Sequence, residues 1–121
     1  MKKIAGFTLI ELIVVIGIIG ILAAVAVPKL FNISSDAQAS TTEGIAGALS
    51  AANAENYAVR VEKNTNGGTV NNCTSVAGLL QGGLPSGYTI TSATVAVNIT
   101  VSCTLTGPSA STAHFNATGI L

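Results

Sequence analysis

Residues 7–27 read FTLIELIVVIGIIGILAAVAV, with one charge, Glu11. As a helix, this stretch spans about 31 Å at 1.5 Å per residue, close to the hydrocarbon core of a bilayer. Fourteen of the 21 residues are Phe, Leu, Ile or Val. At roughly −0.3 to −0.6 kcal/mol each, they outweigh the ~3 kcal/mol opposing one carboxylate, a cost that falls near a helix end. The segment is therefore predicted to insert despite Glu11. Before it stands MKKIAG, with Lys2 and Lys3, and only Lys29 follows closely behind. That asymmetry predicts a cytoplasmic N-terminus and an extracytoplasmic remainder.

Two ordinary readings compete. A cleaved secretory signal would use Ala24-Val25-Ala26 as a small-x-small site. Its apolar core, however, usually runs only about 7–15 residues, and a carboxylate at its start has no use there. The buried core helix of a soluble domain is the other. A chain of 121 residues is too small to cover a helix that is apolar on every side.

A carboxylate in hydrocarbon needs a partner or a proton. Cutting the chain after Gly6 would create an α-amine on Phe7, four residues before Glu11. On a neighbouring copy, that cation neutralises Glu11 and fixes the axial register of one helix against the next.

Gly6-Phe7-Thr8-Leu9-Ile10-Glu11, followed by the long apolar run and Pro28, resembles the class III signal of type IV pilins and the related type II secretion pseudopilins. The resemblance covers residues 4–30. It implies cleavage between Gly6 and Phe7 by a prepilin peptidase, N-methylation of the Phe7 amine, and a role for Glu11 in subunit recruitment. It also implies homo-oligomeric helical filaments with these helices at their core. The subunit would wait in the inner membrane, and an inner-membrane assembly machinery would extract it into an extracellular pilus. No cofactor is implied. Adhesion, motility or DNA uptake would follow from the filament. Gly17 and Gly20 each lower helix propensity by about 1 kcal/mol relative to Ala, and Pro28 removes an amide from the ladder. The family suggests local unwinding between Gly20 and Pro28 on assembly. The small residues Gly17, Gly20, Ala23, Ala24 and Ala26 allow close helix approach.

From 29 to 63 the chain reads as an amphipathic continuation of the helix. Its apolar stripe is Ile33, Ala37, Ile45, Ala48, Leu49, Ala52 and Val59, recurring at helical spacing. Asn64-Thr65-Asn66-Gly67-Gly68 stops it.

Residues 64–121 hold no Asp, Glu, Lys or Arg. A half-chain this neutral lacks the groups for acid–base catalysis, for a calcium cage and for direct nucleic-acid binding. An enzyme is accordingly the weakest reading. Thr94 to Leu105 alternates, with Val95, Val97, Ile99, Val101, Cys103 and Leu105 on one face, which predicts one long half-buried strand. Tyr88–Thr91 and Ala113–Ala117 share the period, and Thr74 to Leu80 suggests a short helix capped by Thr74.

The expected architecture is α+β: one long N-terminal helix packed against a small antiparallel sheet. Its parts are a leader (1–6), a membrane or filament-core helix (7–28), an amphipathic continuation (29–63) and a disulfide-linked loop and sheet (64–121). The expected function is a structural pilus subunit. Alternatives are a type II secretion pseudopilin and a membrane-anchored extracytoplasmic binding module. Major pseudopilins carry a calcium site near the C-terminus, where this chain has no carboxylate side chain.

Cys73 and Cys103 are the only cysteines, and both fall on the side where thiols oxidise. A bridge between them closes a loop worth about 3–4 kcal/mol in the chain-entropy model. Alkylation before reduction should add no mass, and alkylation after reduction should add two labels. Two labels before reduction would refute the bridge.

Overall fold

The computed structural model describes residues 2–63 and 65–121. Met1 of the expected leader and Asn64 of the expected helix stop lie outside these. Helix α1 runs Leu9–Glu62 and carries Pro28 inside it. Three antiparallel strands follow: β1 (Thr89–Ile90), β2 (Thr100–Thr106) and β3 (Thr112–Thr118), in the order β1-β2-β3. The α+β class is as the sequence predicts. Two compact units divide the chain, residues 1–35 and residues 36–121.

In the first unit the large apolar side chains from Phe7 to Ile33 are all exposed. The α-helix is unbroken through Gly17, Gly20 and Pro28. A methyl group added at Gly17 or Gly20 would meet nothing within 4 Å, so both positions leave the helix surface open to a neighbour.

The second unit is built around Leu49, Val70, Val76, Leu105 and Phe115, all buried. Cys73 and Cys103 lie in the same core and are joined by a disulfide, with a Cα–Cα distance of 5.8 Å. Cys103 stands opposite Phe115 in the β2–β3 register. The bridge therefore ties the segment after α1 to the middle of the central strand.

The face that α1 buries differs from the expected stripe. The seam is Thr42, Ala46, Leu49, Asn53 and Asn56, alternating steps of four and three. Of the expected stripe only Leu49 is fully buried, with Ile45 and Ala52 half-buried, while Ile33, Ala37, Ala48 and Val59 are exposed. The reason is hydrogen bonding. The Asn53 side-chain oxygen accepts from the Thr118 N–H (2.8 Å), and its amide donates to the Thr118 carbonyl (3.4 Å). Asn56 repeats the pattern on Gly68, accepting from its N–H at 2.7 Å and donating to its carbonyl at 2.9 Å. Ser50 Oγ accepts from the Asn116 N–H at 3.1 Å. These amides mimic a neighbouring strand, so burying them costs little.

Two other expectations change. The long strand over 94–105 breaks at Asn98, which lies in the left-handed region at φ 61°. The Asn98 N–H donates to the Gly119 carbonyl, and the Gly119 N–H donates to the Ile99 carbonyl. Tyr57 Oη donates to Asn98 Oδ1 at 3.1 Å. Regular pairing thus begins only at Thr100, and Val97 and Ile99 turn outward, 44 % and 52 % exposed. Gly119 is required here, because a Cβ would collide with the Ala96 carbonyl. The helical turn after α1 is a 3₁₀ helix over Cys73–Leu79, capped by Asn72 rather than Thr74. Asn72 Oδ1 accepts from the Thr74 N–H at 3.0 Å.

Asn53→Ala leaves the half-buried Thr118 peptide groups without their partner, which should cost about 1–3 kcal/mol. At roughly 4–8 °C per kcal/mol for a small domain, thermal unfolding in detergent should register it clearly. The exposed Ala54→Ser should stay within about 0.5 kcal/mol of the parent. Equal midpoints for the two variants would mean that the amide pairing is not stabilising.

Candidate assembly site

The candidate site is the N-terminal end of α1. Leu9 opens the helix, and Thr8 caps it. Thr8 Oγ1 accepts from the Glu11 N–H at 3.3 Å, and the Thr8 N–H donates to Glu11 Oε2 at 2.8 Å. The Thr8 hydroxyl also donates to the same Oε2, at 2.8 Å. This is a reciprocal capping box: each residue satisfies a backbone donor of the other that the first helical turn leaves without a partner. An acid in the first turn also suits the positive end of the helix dipole.

The capping box gives Glu11 a partner within its own chain, in addition to the neighbour's cation expected from the sequence. The Thr8-Leu9-Ile10-Glu11 spacing (Thr, two residues, Glu) was the available signal. Both bonds use Oε2, and no hydrogen bond to Oε1 occurs among the described residues. One carboxylate oxygen thus holds the helix start while the other stays free.

Around it the surface is apolar. A shallow hollow of about 390 Å³ is lined by Phe7, Ile10, Glu11, Val14 and Val15. Phe7 is 93 % exposed. With residues 2–6 still attached, Phe7 N is a peptide nitrogen and carries no charge, so only removal of the head creates the cation. Chemically, the site can accept a cationic donor at one carboxylate oxygen and bury apolar side chains beside it. Of the residues singled out in the sequence, Phe7 and Glu11 meet at this hollow. Gly17, Gly20 and Pro28 lie further along the same helix, and Cys73 and Cys103 are in the second unit.

Residues 1–27 match the family model for the prokaryotic N-terminal methylation motif. The chain is 38% identical over 98 residues to the type IV narrow pilus major component PilA5 of Thermus thermophilus. That alignment covers 81% of this chain and 77% of the relative. No solved structure matches. The identity extends well past the N-terminal motif into the folded unit, and the chain belongs to the type IV pilin family.

Proposed function

We propose that the mature chain is the repeating structural subunit of a type IV pilus. One observation carries this reading: an apolar helix, exposed on all sides, with a single carboxylate in its first turn. Lipid covers such a helix first. Other copies of the same helix cover it afterwards.

A prepilin peptidase removes residues 1–6, cutting between Gly6 and Phe7, and the Phe7 amine is N-methylated. The cut removes Lys2 and Lys3, leaving Lys29, Arg60 and Lys63 as the basic side chains. Residues 7–28 then anchor the subunit in the inner membrane with residues 29–121 outside. The assembly machinery of that membrane supplies the work of extraction. In the filament, Glu11 meets the Phe7 amine of an adjacent copy through the free Oε1, while Oε2 stays with Thr8.

The charge pair selects register more than it adds strength. An incoming helix that slips by one turn leaves both its amine and a neighbour's carboxylate desolvated and unpaired. Gly17 and Gly20 allow close contact along the core. Helix between Gly20 and Pro28 unwinds as subunits pack, because Pro28 already lacks one ladder bond. Adhesion, motility or DNA uptake would be functions of the filament. The likeness to a pilus major component supports this reading over a pseudopilin or an anchored binding module. So does the neutral half-chain, which offers no carboxylate side chains for the pseudopilin calcium site.

The experiment is Glu11→Leu. A hydrogen bond to a charged group is worth about 1.5–3 kcal/mol, so its loss should cut subunit affinity roughly tenfold or more. Membrane insertion should persist while sheared filaments become scarce. Intact mass of parental filaments should begin at N-methyl-Phe7 and include one disulfide. Normal filament yield from Glu11→Leu would remove the register mechanism, and filaments beginning at Met1 or Val27 would remove the family processing.

A further inference from the structure

The two edges of the sheet are treated differently. Along β3 the outward peptide groups are taken by α1, through Ser50 and Asn53. Along β2 the cover is incomplete. β1 pairs only with Leu105 and Thr106, and one further bond runs from the Thr91 N–H to the Thr104 carbonyl at 3.0 Å. Beyond Thr91 the chain leaves the sheet, and Cys73 N–H takes the Ala93 carbonyl.

Peptide groups alternate sides along a strand. Since Thr104 turns its carbonyl toward β1, Ser102 and Thr100 turn theirs the same way. Among the described residues, nothing pairs with the N–H and C=O groups of Thr100 and Ser102 on that side. Both residues are exposed. Val97 and Ile99, just before them, present apolar side chains to solvent. The usual guards of an open edge are a lysine, a proline or an inward charge. None stands in residues 94–106.

We propose that this open edge is a self-association site through which two copies of the chain, in different filaments, pair β2 to β2. The inference rests on the filament reading above. The edge fits an identical partner. An antiparallel pairing centred on Val101 sets Ser102 of each copy against Thr100 of the other, and both residues exchange N–H and C=O bonds. Val101 then meets Val101 at the non-hydrogen-bonded position, where side chains stand closest. This register stops short of Thr104 and so avoids Thr91. It is an isologous contact. No charge lies anywhere in residues 64–121, so two copies approach without like-charge repulsion. Three residues make a weak bond. Repetition along two filaments makes a strong one, because each contact raises the effective concentration of the next. The result is lateral bundling.

The test uses purified intact filaments, followed by electron microscopy of bundle width and by sedimentation. Ser102→Pro removes an outward donor and leaves the β2–β3 ladder intact, which is where edge strands tolerate proline. Ser102→Lys installs a charge guard at the same point. Parental filaments should bundle in the absence of other proteins, and both variants should yield single filaments at normal length. As a measurement free of substitution, amide exchange at Thr100 and Ser102 should slow in bundled parental filaments relative to dispersed ones. Three results would overturn the proposal: parental filaments that stay single, bundles that persist in either variant, or exchange at these amides that ignores bundling. Protection of these amides only after another extended polypeptide is added would assign the edge to a different partner and equally overturn it. Failure of the parent to form filaments at all would instead overturn the filament reading.

Discussion

An apolar helix that its own chain does not cover is the constraint behind the rest of the molecule. From Phe7 to Ile33 every large apolar side chain is exposed. Burial of such side chains is worth about 1.5–3 kcal/mol each, so water is the least favourable surrounding this segment can have. A bilayer satisfies it without specificity. A bundle of identical helices satisfies it too, and in the proposed filament Glu11 would add a rule about register that lipid cannot. The capping box sharpens that rule. By fixing Oε2 on Thr8, it holds the carboxylate in one orientation and leaves its other oxygen for a neighbour.

The second unit solves the opposite problem. Its sheet half, residues 64–121, has no Asp, Glu, Lys or Arg with which to satisfy buried polar groups, and it relies on amides and hydroxyls. Asn53, Asn56 and Ser50 on α1 act as a surrogate strand beside β3 and the Gly68 turn. Arg60 contributes at the end of the helix, donating to the carbonyls of Leu121 at 2.9 Å and Gly67 at 3.0 Å. Thr42 bonds Ser111 across the hairpin connection at 2.7 Å. Neutral groups buried with full partners specify one arrangement without an ionic desolvation cost. The same neutrality leaves the open side of β2 without electrostatic protection.

Much of this was readable from the chain. The long helix followed from an apolar run with one charge. The hairpin of β2 and β3 followed from strict alternation around Cys103 and Phe115. What escaped was non-local or polar. The break at Asn98 depends on Gly119, 21 positions later, and alternation alone cannot report such a crossing. The seam of α1 was misplaced because a hydrophobic count passes over Asn53 and Asn56, whose burial makes sense only once the strand backbone is beside them. The cap at Asn72 and the capping box at Thr8 are short-range and were written in the local spacing. Apolar periodicity does not report them, because both are polar contacts made within three residues.

Helical reconstruction of intact filaments at side-chain resolution tests the central claim most directly. The account predicts residues 7–28 packed together along the axis, shielded from solvent. It also predicts the Phe7 amine of one copy within about 3 Å of a Glu11 carboxylate oxygen on an adjacent copy, as a charge-assisted hydrogen bond requires. A filament in which Glu11 bonds only its own Thr8, with the neighbouring Phe7 amine directed elsewhere, would contradict it.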